Sequence, residues 1–152
     1  MSVPTDETTV CNYNYPKDTA RSIPITIKDY KSLEDGTYLN DIIVDFYLLF
    51  LKNNLRDQSE NVHIFSSMFF KKLREPRRVV SDVNAFENDP SLSAAEKRFI
   101  RVQRWTKSVN LFEKKLLVFP CCENQHWFAI LVFMPGFIKV SIAKISLILD
   151  KI

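Results

Sequence analysis

A chain of 152 residues with 46% hydrophobic and 26% charged side chains has the size and balance of one ordinary globular domain, and 12 Phe can build a sizeable core. With Gly36 and Gly136 as its two glycines it has no Gly-rich loop to cradle a phosphate, which excludes nucleotide-based chemistry; no cofactor is expected. A net charge of +3 selects no class of partner by itself.

The first residues, Met1 to Glu7, lack the basic start and apolar run of a signal peptide. The longest apolar stretch, 127–135, is too short to span a bilayer, so no membrane partner is expected. Three cysteines, Cys11, Cys121 and Cys122, are too few and too closely set for a disulfide framework. A reducing compartment, nucleus or cytoplasm, is the expectation.

In chain order, residues 1–20 are polar, carry Pro4 and Pro16, and read as a flexible lead-in to a domain over 21–152. Residues 23–27 alternate with β-branched side chains, an edge strand with Pro24 near its start. Asp35-Gly36 is a turn. Asn40 or Asp41 caps a helix over 42–51 whose apolar positions Ile42, Ile43, Phe46, Leu49 and Phe50 make a broad face; with so few polar interruptions it is expected to be largely buried. A second helix follows over 66–73, capped by Ser66 or Ser67. Residues 74–90 form a charged surface loop. Ser93-Ala94-Ala95-Glu96 is a capping box opening a helix that runs to about Val109. Three short apolar runs, 115–120, 126–134 and 144–150, are bounded by breakers and read as strands of a covered sheet. Helices followed by a sheet give an α+β fold.

Of the two histidines, His63 and His126, the second opens a strand after the polar turn Glu123-Asn124-Gln125. There an imidazole can face solvent on one side and be oriented on the other, as a general base requires; on this pattern alone a structural histidine is the commoner outcome. Cys122 precedes it by four positions, about 13 Å on one extended strand at ~3.3 Å per residue, so only a tight reversal at Glu123-Asn124 could make a thiol–imidazole pair. Cys121, Cys122 and His126 also lack a fourth zinc ligand, and no metal is expected. Both thiols read as small buried hydrophobes at a strand end. Asp150 closes the last strand, where a carboxylate could accept an imidazole N–H or simply face solvent.

Four ordered blocks then resemble one family. Tyr38-Leu39-Asn40-Asp41 followed by 42–47 is similar to the helix start of the Ulp/sentrin-specific (SUMO-specific) cysteine proteases. Residues 63–73, with Phe65, Ser67, Phe69 and Phe70, resemble the family's next helical element. Arg104-Trp105-Thr106-Lys107 with 110–114 resembles its Trp-Thr segment. Leu117-Val118-Phe119-Pro120 followed by His126-Trp127-Phe128 resembles its strand, loop and His-Trp. The likeness extends from about Ile23 to Pro135 and is nearest to the branch that edits poly-SUMO chains.

The resemblance implies a papain-like α+β fold of the Ulp type, with site residues in the chain order His, Asp, Gln, Cys, and hydrolysis after Gly-Gly. It implies that His126 is the general base and Asp150 its acid, although Lys151 stands where the family has serine after that aspartate. Tyr38 and Trp127 would flank the channel for the Gly-Gly tail, and Asp41 would face the substrate. A flat aromatic tunnel admits only residues without side chains, which gives selectivity by steric exclusion. SUMO or SUMO-conjugated proteins are the expected partners. No cysteine here matches the nucleophile, without which the thioester cannot form. The expectation is a truncated domain, inactive as it stands, with an exposed apolar patch and marginal stability; the alternative is a non-catalytic SUMO-binding relic. A nucleic-acid partner is not expected, because the basic run Lys71, Lys72, Arg74, Arg77 and Arg78 is interrupted by Glu75 and has no stacking platform.

Overall fold

The computed structural model describes residues 5–14, 22–75 and 82–137. They form an α+β fold with two small sheets, four α-helices and four short 3-10 helices. The expected strand over 144–150, with Asp150, lies outside the described residues.

Strand β1 (Thr9–Asn14) pairs antiparallel with β2 (Ser22–Thr26), setting Tyr13 against Ile23 and Cys11 against Ile25. This corrects part of the expected lead-in. The β-favouring Thr9, Val10 and Tyr13 find a partner strand, and the Tyr13 ring stands edge-on to Phe46 at 4.9 Å. Thr26 then caps the short helix α1 (Ile27–Lys31) in a capping box with Asp29, so Ile27 starts a helix instead of ending the strand.

Helix α2 (Asp41–Asn53) is capped by Asn40, whose side-chain oxygen accepts from the Ile43 N–H. Its expected burial is only partly realised. Ile43 is its one buried residue, whereas Tyr47 is 55% exposed and Phe50 and Leu51 are more than 40% exposed. One face of α2 packs on β2, α3 and the second sheet. The Tyr13 ring covers Phe46, while Tyr47, Phe50 and Leu51 stay exposed, and the Phe50 ring stacks on both Phe46 and Tyr47.

The second sheet has the order β3 (Val62–Ile64), β4 (Leu116–Glu123), β5 (His126–Phe133), with β3 parallel and β5 antiparallel to β4. Helix α3 (Ser67–Arg74) is tied to α2 at its start. Asp45 accepts from the Ser66 hydroxyl at 2.7 Å and from the Ser67 N–H at 2.8 Å, an anion where the helix dipole favours one. Helix α4 (Ala94–Thr106) carries the full capping box of Ser93 and Glu96.

The core is Phe65, Phe69 and Leu73 from the α3 region, Val102 from α4 and Leu117 from β4, with Phe119 and Val132 packed against it. Phe65 stacks on Phe119 with centroids 4.3 Å apart. The buried Arg101 fixes the far end of α3. It donates to the Leu73 carbonyl at 3.0 Å and makes a two-pronged ion pair with Glu87 at 2.8 and 2.7 Å.

Pro120 lies inside β4 and does not end it, a second correction. The Val118 carbonyl accepts from the Phe65 N–H, so at that point β4 faces β3. Two residues further on, the Pro120 nitrogen faces the same side, beyond the end of β3, where no ladder donor is needed. β4 therefore continues to Glu123.

Candidate active site

The polar turn before His126 is a two-residue hairpin. Glu123 and His126 form the last pair, and Asn124 (φ 51°) and Gln125 (φ 64°) both lie in the left-handed region, the pattern of a type I′ turn. Asparagine tolerates that region. Glutamine has no such preference, and its backbone there is strained by about 1–2 kcal/mol.

Pairing parity divides the hairpin. Residues directly opposite share a face, so His126, Glu123, Phe128 and Cys121 lie on the side packed against α3, and Trp127 and Cys122 lie on the other. A tight reversal is therefore present, one residue later than the position where it was sought, yet it does not create a Cys122–His126 pair. Opposite faces exclude it, whereas the reading from sequence relied on separation along an extended strand.

His126 is exposed, and among the described residues no hydrogen bond reaches its ring. Trp127 is half-buried, and its indole N–H donates to the Leu39 carbonyl at 2.9 Å. That bond fastens the hairpin to the segment Tyr38-Leu39-Asn40-Asp41, bringing together two stretches of sequence 88 residues apart. Tyr38 is 69% exposed beside this junction. Asp41, also exposed, opens α2 and lines a cleft of about 510 Å³ together with Ser67, Phe70, Arg74, Cys122 and Gln125. Four of the five expected site residues thus lie on or beside one junction; Asp150 lies outside the described residues.

The thiols differ sharply. Cys121 is fully buried, and burial pushes its thiol up to about 11, so it stays protonated and inert. The expectation of a buried thiol fails for Cys122, which is exposed near the turn end of β4 although Val118 and Pro120 on the same face are buried. Cys11 is exposed on β1 in the other sheet. His63 serves structure. Burial first, then Lys52 and Lys114, lowers its imidazole to about 4, and its ring packs edge-on to Phe65. Among the described residues no group of three His, Cys, Asp or Glu could hold a metal ion.

Sequence reasoning missed the residues that hold this junction. Asp29 accepts from the Thr26 N–H and hydroxyl and from the Asn40 amide, setting the segment before α2. Thr26-x-x-Asp29 carries the spacing of a capping box and could have been found. Arg74, which pairs with Glu123, left no local signal.

Comparison with known proteins places this geometry. The family described as "Ulp1 protease family, C-terminal catalytic domain" matches residues 37–136. Human sentrin-specific protease 7 is 37% identical over 122 residues, which is 79% of this chain and 11% of that protein. Mouse sentrin-specific protease 6 is 38% identical over 128 residues, 82% of this chain and 11% of that protein. A solved structure described as that of the de-sumoylating protease superposes with a TM-score of 0.59 at 25% identity, covering 91% of this chain and 44% of that one. The C-terminal Ulp1 protease domain solved with Smt3, the yeast ortholog of SUMO, gives 0.52 at 22% identity over 89% of this chain and 47% of that one, a likeness of fold. The chain spans about a tenth of the length of the sentrin-specific proteases it matches.

Proposed function

The chain belongs to the Ulp1 protease family, and from that premise we propose that it supplies the histidine-bearing part of a SUMO-specific cysteine peptidase acting after Gly-Gly. The observation that carries the reading is the Trp127–Leu39 hydrogen bond, which seats the hairpin beside Tyr38 and Asp41. In this reading the SUMO tail lies between Tyr38 and Trp127, and Asp41 faces the body of SUMO.

His126 is the general base. It takes the proton of an attacking thiol and returns it to the leaving amine as a thioester forms; a water deprotonated by the same imidazole then cleaves that thioester. Asp150 is proposed as the acceptor that orients the ring, on the family resemblance alone. None of the three thiols of this chain suits the attacking role. Cys121 is buried and protonated, Cys122 lies on the face opposite His126, and Cys11 belongs to the other sheet. We therefore propose that the 152 residues alone do not turn over substrate.

The same observation about the thiols favours a second reading, a non-catalytic SUMO-binding protein using the Tyr38–Asp41 surface. Titration of SUMO into the purified chain, paired with a SUMO-based fluorogenic substrate, tests both. SUMO binding weakened roughly tenfold or more by Asp41→Arg, about 1.4 kcal/mol, with no turnover is the expected result. Absence of SUMO binding would sink both readings. Turnover abolished in His126→Ala would overturn the claim of inactivity.

A further inference from the structure

The hairpin end that carries His126 is held from two sides, and only one hold involves the Tyr38–Asp41 segment. On the Trp127 face the anchor is the Leu39 carbonyl. On the His126 face the anchor is Arg74, at the last turn of α3. Its guanidinium pairs with Glu123, the residue directly opposite His126, and stands 5.5 Å from the centre of the Phe70 ring. Phe70 in turn packs edge-on to Phe128 with centroids 6.0 Å apart, two residues along β5 on the same face as His126. Arg74 thus touches β4 by charge and β5 through one intervening ring, spanning the base of the turn.

The helix end that presents Arg74 is itself fixed. Arg101 donates to the carbonyls of Leu73 and Arg74 at 3.0 and 3.4 Å, and the pair it makes with Glu87 is buried, with side chains 7% and 5% exposed. A flexible arginine on a frayed helix end would hold little. An arginine on a capped, core-packed end has its backbone set in advance, so less freedom is lost when the ion pair forms. The turn it braces needs bracing, because Gln125 occupies a left-handed conformation without the preference of glycine or asparagine.

We propose that Arg74 is a positioning residue for His126, acting through Glu123 and through the Phe70–Phe128 contact to fix the end of the β4–β5 hairpin. The importance of that position for chemistry rests on the protease reading above; the positioning itself does not.

Amide hydrogen exchange of residues 123–128 and the ring signals of the two histidines, recorded on the whole chain, test it. Arg74→Gln should speed exchange at 123–128 by roughly two- to fivefold, the range of a partly exposed pair, and should shift the His126 ring signal while His63 stays put. Glu123→Gln should reproduce the effect, and the double variant should add little beyond either single change. In ~1 M salt the parent should move toward the variants. Unchanged exchange and an unmoved His126 signal in both single variants would overturn the proposal. If Arg74→Gln unfolds the chain, Glu123→Gln decides alone. SUMO binding that persists beside a failed exchange test would leave the protease reading standing and remove only the role of Arg74.

Discussion

The Asn40 side-chain amide donates to the Asp29 carboxylate at 2.7 Å while its carbonyl oxygen accepts from the Ile43 N–H at 3.0 Å, so one side chain fastens α1 to the first turn of α2. Burial works against the Asp29 charge, but the hydrogen bonds from Thr26 and Asn40 outweigh it and hold the carboxyl below its usual range. A carboxyl lowered on folding contributes stability that is complete above its unfolded pKa, near 4, and is lost as pH falls through the folded value. Asp29→Asn should therefore destabilise the chain by about 1–3 kcal/mol at pH 7, read from urea unfolding, with the gap to the parent closing as pH drops below about 4. A gap independent of pH would remove the charge from the explanation.

Gln125 sits at φ 64°, where a side chain is penalised and glycine is not. Gln125→Gly creates the Asn-Gly pair that type I′ turns favour, and should raise stability by about 1 kcal/mol. Thermal melts of the two proteins check this; a lower melting temperature for the variant would mean that the Gln125 side chain holds something its backbone strain conceals.

Exposure separates the cysteines. Cys11 and Cys122 should alkylate rapidly at pH 8 in the native chain, and Cys121, buried with its thiol pushed up to about 11, should react only on unfolding. Mass spectrometry of iodoacetamide-treated protein reads the sites directly. Fast labelling of Cys121 would contradict its place beneath α3.

Arg101 and Glu87 form a buried pair whose partner groups cannot turn to water. Arg101→Met should cost about 3–5 kcal/mol, because it strips Glu87 of a two-pronged partner and uncaps α3. Removing both charges, in the double variant Arg101→Met with Glu87→Leu, should recover a good part of that loss. Denaturant titrations of the single and double variants give the comparison.

Along β5 and just after it, Leu131 is 49% exposed, Phe133 68% and Phe137 82%. Among the described residues β5 is an edge strand, and apolar groups beside such an edge favour association. Sedimentation of the isolated chain should show self-association that weakens in Phe133→Lys. A monomer at high concentration, with an unchanged profile in the variant, would count against this surface as the cause.

Much of the local structure around the candidate site was legible in the sequence, for identifiable reasons. The Asn40 and Ser93 caps and the strand opening at His126 are local patterns, and they appear where the residues alone put them. Pro120 misled because a proline ends a strand only where its missing N–H is wanted, and that depends on how far β3 reaches. The exposure of α2 was illegible because an apolar face in sequence does not say whether anything lies against it. The Trp127–Leu39 bond joins positions 88 residues apart, and no window along the chain contains both ends. Arg74 looked like one of several surface cations; only the arrival of Glu123 beside α3 distinguishes it.

The division of the hairpin into two faces also limits how this stretch can change length. Phe128 and Val132 are fixed by the groups they pack against, so β5 cannot slide. One residue inserted between Trp127 and Phe128 would send the imidazole to the Leu39 side and the indole to the α3 side, exchanging their surroundings at a stroke. Two inserted residues would return each to its own face, about 7 Å further along the strand. Descendants of this sequence should therefore gain or lose residues here in pairs, unless a bulge takes up the odd residue.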